Sequence, residues 1–288
     1  MTLAEKRKSK GERQRIAALK RSPAYQRAYE DLDFLRQTEL RPVRLQLELL
    51  KPEMVQNQKG INSTIVVFGS ARIEDPDVAK RRLDAAERAL KRFPGHPAKV
   101  QAVRAAKHSV AFSKYYDEAR RFSRIVSSTC QIHGKCDYVT VTGGGPGIME
   151  AANRGADDAG AISVGLNITL PHEQEPNSYI TPELCFQFHY FAIRKMHFLL
   201  RARALVVFPG GFGTCDELFE TLTLIQTGKM PAIPVILFGR KFWERLIDFR
   251  YFEEQGLISP GDRDLFQFAE TAEEAWQIIM KHNGAPNR

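Results

Sequence analysis

The chain of 288 residues is 43% hydrophobic and 26% charged, with 20 Gly and 15 Pro, which excludes disordered, collagen-like and disulfide-scaffold classes and suits one large core or two small ones. Its 42 Lys+Arg against 34 Asp+Glu give a formal charge of +8, which invites a nucleic-acid or membrane-surface partner. That excess is local: residues 1–51 hold 13 basic and 7 acidic residues, residues 80–124 hold 13 and 4, and the remainder is left at −7.

Residues 1–60 are rich in Lys, Arg, Gln and Glu with sparse apolar positions, and read as a partly helical, partly disordered basic arm. The first 15 residues have no apolar core of the signal-peptide kind, and Cys130, Cys136, Cys185 and Cys215 form no CxxC pair. A reduced, cytoplasmic protein is the expectation. No apolar run approaches the roughly 20 residues of a membrane helix, so no membrane partner is expected. The seven His are scattered, so no metal site is expected either.

From residue 61 to 288 the texture is that of one Rossmann-like domain. T-I-V-V-F-G-S from Thr64 is a short β-branched apolar run ending in Gly-Ser, the pattern of a strand buried on both faces. Residues 78–131 carry helical periodicity broken by F-P-G-H-P at Phe93 to Pro97, which predicts two or three helices with a solvated basic face. Strand Tyr138 to Thr142 leads through G-G-G-P-G into a helix from Ile148 to Ala159, and strand Ala161 to Leu166 precedes a long Pro-containing loop. Segment Glu183 to Phe188 runs into a helix from Phe191 to Arg203. Strand Ala204 to Phe208 leads through P-G-G-F-G-T into a helix reaching Thr227. Strand Ile233 to Phe238, a helix from Phe242 and a last helix from Ala272 to Lys281 complete the series. Apolar strands alternating with amphipathic helices predict an α/β fold, a doubly wound parallel sheet with helices on both faces. Ligands bind such sheets beyond the carboxyl ends of the strands, where both glycine loops fall.

The first loop is Gly143, Gly144, Gly145, Pro146, Gly147. A strand feeding a glycine turn into a helix N-terminus leaves aligned backbone N–H groups, which can hold phosphate without a cation. Ile148 stands where G-x-G-x-x-G needs its last glycine, and no G-K-[ST] follows, so neither a dinucleotide fingerprint nor a P-loop is present. The second loop runs Pro209, Gly210, Gly211, Phe212, Gly213, Thr214, Cys215, Asp216, Glu217, with Thr214 adding a hydroxyl donor. Two phosphate-type loops in one chain suggest a nucleotide site. Thr214-x-x-Glu217 also matches a helix capping box, in which Glu217 would satisfy a backbone N–H. Arg194 and Lys195 begin the helix before the same strand; because neighbours on a helix diverge by about 100°, at most one should point into a shared cleft.

T-G-G-G-P-G-I-M-E-A-A-N, R-K-M-H and P-G-G-F-G-T-C-D-E, taken together, resemble the Lonely Guy family of nucleoside 5′-monophosphate phosphoribohydrolases, over about Ile61 to Phe249. The 23-residue interval from Arg194 to Glu217 is the one this family keeps between its catalytic Arg and Glu. The resemblance implies a Rossmann-like fold, a 5′-phosphate on the glycine loops, and hydrolysis of the N-glycosidic bond of AMP or an N6-modified AMP without metal or cofactor. It implies that Arg194 and Glu217 are catalytic and that Lys195, Gly211, Gly213 and Thr214 line the nucleotide site, with Thr223 close by. Gly143, Gly144, Gly145, Gly147, Gly210 and Asp216 complete the candidate substrate-binding set from the two loops. Glu173 in L-P-H-E-Q matches the family's binding Glu, in a loop longer than that of the short forms. The arm and the basic helices resemble the longer members, which implies a homo-oligomer.

On this reading Glu217, in the first turn of its helix, stays ionised and steadies an oxocarbenium-like ribose or activates water, while Arg194 holds the carboxylate or a ribose oxygen. No residue stands out as general acid for the leaving base. Two alternatives remain: a non-catalytic nucleotide or cofactor carrier of the same fold, and a nucleic-acid module using the basic arm. Nothing argues for a pyridoxal site, and the missing G-x-G-x-x-G disfavours a dehydrogenase. The nucleic-acid alternative predicts binding that falls steeply with salt and disappears when residues 1–51 are deleted, which filter binding at two salt concentrations checks.

Overall fold

The computed structural model describes residues 9–131, 136–170 and 175–284, and the chain forms two compact units, Met1–Leu50 and Lys51–Arg288. In the first unit, Ser9 starts α1 (Lys10–Arg21) by accepting from the Glu12 N–H at 3.2 Å, and Asp31 starts α2 (Leu32–Leu35) by accepting from that of Phe34. Arg44, on α3 (Arg41–Gln58), donates to the carbonyls of Leu35 and Gln37, each at 2.6 Å. No described residue up to Leu50 is buried, so caps and local hydrogen bonds hold this unit in place of a core.

The second unit carries β1 (Thr64–Phe68), α4 (Pro76–Arg92), α5 (Pro97–Cys130), β2 (Val139–Thr142), α6 (Ile148–Asp158), β3 (Ser163–Ile168) and β4 (Cys185–Phe188). It continues with α7 (Phe191–Leu199), β5 (Ala202–Val207), α8 (Phe212–Gln226), β6 (Val235–Phe238), α9 (Arg240–Leu246), α10 (Phe249–Glu254), β7 (Phe266–Ala269) and α11 (Ala272–Asn283). The strands form one sheet in the order β4-β3-β2-β1-β5-β6-β7, every neighbouring pair parallel.

Successive residues of each inner strand serve opposite faces. Val66 and Phe68 pack with Val141, Leu166, Phe198, Leu218 and Trp243 under α7, α8 and α9, whereas Ile65 and Val67 pack with Tyr116, Phe122, Ile148, Ala152 and Ile279 under α5, α6 and α11. Burial on both faces is why these strands read as unbroken apolar runs, each large side chain contributing about 1.5–3 kcal/mol. From β1 the chain winds one way through α5 and α6 to β2 and β3, then from β5 the other way through α8 and α9 to β6 and β7. This is a Rossmann-like doubly wound α/β fold.

The structure moves several predicted boundaries. The break at Phe93 to Pro97 separates two helices, and α5 then runs unbroken for 34 residues. The helix predicted to reach Arg203 stops at Leu199, because the Arg201 carbonyl already accepts from the Thr64 N–H at 2.9 Å and draws the chain into the sheet. Strand β7 and helix α10 were not predicted; both are short, and F-Q-F-A presents too few residues to show a period. Among the described residues no helix is long and apolar enough to cross a membrane.

The two helices beside β2 meet at Gly155 of α6, where a Cβ would overlap the Arg120 carbonyl of α5. Gly to Ala in a free helix gains up to about 1 kcal/mol. Here Gly155→Ala is expected to lose about 2 kcal/mol or more by urea denaturation; a gain would mean that the helices do not depend on this close approach.

Candidate active site

The carboxyl ends of β1, β2 and β5 open into one cleft of about 320 Å3. Because β1 lies between β2 and β5 and its neighbours wind away in opposite directions, the cleft sits at the topological switch point, where chain crossings leave room for a ligand. Three loops line it, through Gly69 to Arg72, through Gly143 and Gly145, and through Gly211, Gly213 and Thr214, with Asn167, Phe191, Arg194, Asp216 and Glu217 on its walls.

A buried amide network sets the first glycine loop. Thr142 Oγ1 donates to Asn153 Oδ1 at 2.7 Å and accepts from the Gly144 N–H at 3.0 Å. Asn177 donates from Nδ2 to the carbonyls of Gly144 and Gly145 at 3.1 and 3.0 Å. Gly144 and Gly147 have φ of +75° and +73°, and a Cβ at either would strike Asn167 or the Ser70 carbonyl. These two glycines therefore shape the turn, as does Gly210, whose missing side chain makes room for Thr214; none of the three lines the cleft. Gly143, Gly145, Gly211 and Gly213 do line it, the first two buried and the last two exposed at the start of α8, where free backbone N–H groups suit an anion.

The structure corrects the reading of the second loop. Gly211 is the N-cap of α8, its carbonyl accepts from the Cys215 N–H at 3.0 Å, and no side chain caps the helix. Thr214 is then the third helical residue and Glu217 the sixth, so no capping box forms and Glu217 lies in the second turn. Nor is it held ionised by the helix end. Burial, with the side chain 5% exposed as a residue, pushes its pKa up to about 7, against the pull of Lys195 and Arg194. A helix-end effect, about 2 kcal/mol at most and fading beyond the first turn, is too small to reverse a desolvation of this size.

Arg194 and Lys195 diverge as their helix geometry requires. Arg194 enters the cleft, donates from Nε to the Leu166 carbonyl at 2.7 Å and lies over the Phe198 ring, its centre 5.0 Å from the guanidinium carbon. Desolvation lowers its pKa and the field of Glu217 opposes that shift, yet among the described residues no ion pair within 4.0 Å joins the two. Lys195 turns away, to Asp216 at 2.8 Å and Glu220 at 3.2 Å, and does not line the cleft. Burial alone would lower its pKa, but hydrogen bonds to Asp216 and Glu220 leave it raised. Lys195 is thus a clamp between α7 and α8.

Thr223 is also displaced from its expected place. Nine residues along α8 from Thr214 is half a turn out of phase, so it faces a separate apolar groove lined by Phe219, Phe249 and Phe252. Glu173 lies outside the described residues. The sequence reading missed Ser70 and Arg72, although Gly-Ser at the end of T-I-V-V-F marks a strand-to-loop exit, and Asn167, the polar residue near the end of β3.

In class, then, this is a Rossmann-like α/β protein whose switch-point cleft sets a buried carboxyl beside a guanidinium between two glycine loops. The family described as "Possible lysine decarboxylase" matches residues 149–279. Over 135 residues the chain is 27% identical to the "Cytokinin riboside 5'-monophosphate phosphoribohydrolase LOG3" of Arabidopsis thaliana, covering 46% of this chain and 61% of that protein. It is 27% identical over 144 residues to the enzyme named LOG4 of the same plant, covering 49% and 66%. The chain thus matches somewhat less than two thirds of the length of these relatives. A solved molybdenum cofactor binding protein from Rippkaea orientalis shares 16% identity over 77% of this chain and 97% of that one, with a TM-score of 0.46. The resemblance to the Lonely Guy family read from the motifs is borne out by the relatives. A decarboxylase of the kind the family description suggests would hold pyridoxal phosphate on a lysine. No lysine is among the described lining of the cleft, and Lys195 is committed to Asp216 and Glu220, so the residues do not fit that group.

The raised carboxyl has a measurable cost. A folded state with the higher pKa keeps its proton where the unfolded chain, at 4.5, has lost it, so stability falls as pH rises from about 4.5 to 7. At 1.36 kcal/mol per unit this is roughly 3 kcal/mol. Glu217→Gln removes it, so the variant should gain stability relative to the parent between pH 4.5 and 8 in denaturant titrations, by up to that amount. A difference independent of pH would contradict the buried-carboxyl account.

Proposed function

We propose that the protein hydrolyses the N-glycosidic bond of a purine nucleoside 5′-monophosphate, AMP or an N6-modified AMP, to free base and ribose 5-phosphate. The observation that carries this reading is Glu217, buried beside Arg194 in the cleft with a pKa near 7. The names of the relatives support the same chemistry.

Glycosidic cleavage places positive charge on the ribose ring and its anomeric carbon. A carboxylate facing that charge in a site of low dielectric stabilises the transition state more than the neutral ground state, which is what lowers the barrier. Ionised Glu217 performs this role and accepts a proton from the attacking water; a pKa near working pH suits both proton uptake and release. Arg194, fixed to the Leu166 carbonyl, keeps the carboxylate ionised as substrate excludes water and donates to a ribose oxygen. The N–H groups of the second glycine loop, at exposed Gly211 and Gly213, take the 5′-phosphate, whose binding positions the sugar. The assembly in this reading is a homo-oligomer, supported by Phe212, 96% exposed at the start of α8, by exposed Phe191 and Met196 on α7, and by exposed Leu200 just after it. Four free cysteines suit a reduced, cytoplasmic compartment.

Incubation with AMP, the other common nucleoside monophosphates and isopentenyl-AMP, followed by chromatography, should yield base and ribose 5-phosphate, with kcat/KM rising with pH through about 7 as Glu217 ionises. Glu217→Ala should abolish turnover and keep nucleotide binding measurable. Intact nucleotide with every base sinks the enzyme reading, and tight binding without cleavage would mark a carrier of the same fold. A rate that falls as pH rises through 7 would assign Glu217 the opposite role, proton donor to the leaving base.

A further inference from the structure

With Lys195 tied to Asp216 and Glu220, and Arg194 engaged by the Leu166 carbonyl and the field of Glu217, a side-chain cation to join the glycine-loop N–H groups at a substrate phosphate has to come from elsewhere. The loop after β1 supplies it. Ser70 is fixed from both sides, its N–H donating to the Pro209 carbonyl at 3.0 Å and its carbonyl accepting from the Ile148 N–H at 3.2 Å. The close packing continues at Gly69, where a Cβ would press on Ile148, and at Gly147, where one would strike the Ser70 carbonyl. The central loop is thereby joined to both glycine loops and cannot shift independently of them.

This loop carries Arg72 to the cleft wall. The Arg72 N–H donates to Ser70 Oγ at 3.1 Å, which orients the turn and leaves the Ser70 hydroxyl proton free to donate. Among the described residues the Arg72 side chain has no ion-pair partner, whereas Arg82, Arg120 and Arg154 of the adjoining helices are paired with Glu74, Asp158 and Asp75. A planar guanidinium with free donors, beside a serine hydroxyl and Gly145 on the same cleft wall, is suited to bidentate contact with a phosphate dianion. It also lies outside residues 149–279, the part of the chain that matches the family.

We propose that Arg72, assisted by Ser70, recognises the substrate's 5′-phosphate and sets the preference for nucleotide over nucleoside. This rests on the nucleotide reading of the cleft, but not on hydrolysis. The shared chemistry is a phosphate monoester, so the test compares AMP, adenosine, ribose 5-phosphate and inorganic phosphate by calorimetry on the full chain, its Arg72→Ala and Arg72→Lys variants.

For the alanine variant, affinity for AMP and ribose 5-phosphate should fall about tenfold to a hundredfold while that for adenosine holds, with partial recovery in the lysine variant. Inorganic phosphate matching ribose 5-phosphate in affinity and in loss would show that the sugar adds nothing and would overturn the nucleotide-selecting role. Equal losses for AMP and adenosine, an unchanged AMP affinity, or a parent that binds neither phosphate compound would overturn it too. Cleavage of AMP with a KM indifferent to Arg72 would refute this proposal alone. Binding of AMP that depends on Arg72 but leads to no cleavage would refute only the hydrolase reading.

Discussion

Everything at the candidate site depends on where β1 sits. It is the strand between the two halves of the sheet, and its exit loop hydrogen-bonds to the loop after β5 through Ser70 and Pro209 and to the start of α6 through Ser70 and Ile148. Those two contacts tie three strand ends into one rigid rim. Gly69 and the positive-φ Gly147 make the approach sterically feasible, since a Cβ at either would strike Ile148 or the Ser70 carbonyl. Without that rim the cleft would be three independent loops, each too mobile to hold a sugar within a few tenths of an ångström of reactive geometry.

On this rim the protein sets a carboxyl where burial works against its ionisation. Raising Glu217 to about 7 costs stability at neutral pH, and no described hydrogen bond or ion pair relieves it. Arg194 influences it through the field while bonding to a main-chain carbonyl, so the guanidinium is located by the sheet and not by its acidic neighbour. A structural ion pair would close the distance between the two. Here the gap opens onto the cleft, which is the arrangement expected of groups whose partner is a ligand.

The layered sheet and both glycine loops were legible from the sequence because they depend on local signals: apolar runs of strand length, glycine clusters at strand ends, helical periodicity between them. Glu217 and Arg194 were legible as a pair only through the family pattern. What could not be read was the outcome of competition between neighbours. Spacing permits Thr214 to cap Glu217, but Gly211 takes the cap and moves both residues one turn into the helix. Spacing places Lys195 next to Arg194, but Asp216 and Glu220, one helical turn apart on α8, capture it. Strand β7, at the sheet edge, is too short for periodicity to reveal.

The net charge of +8 also takes on a local meaning. Its excess lies in the arm and in α4 and α5, whereas the cleft has Arg72 and Arg194 set against Asp216 and Glu217. Anion selectivity there must come from where two guanidiniums and a few backbone N–H groups are held. The central claim is that the fold keeps the Glu217 carboxyl buried and poised near neutrality beside Arg194. A 13C NMR titration of glutamate side-chain carboxyls, with Glu217 assigned by its loss in Glu217→Gln, measures this directly. The account predicts a midpoint near 7, and a midpoint at the ordinary value of 4.5 would contradict it.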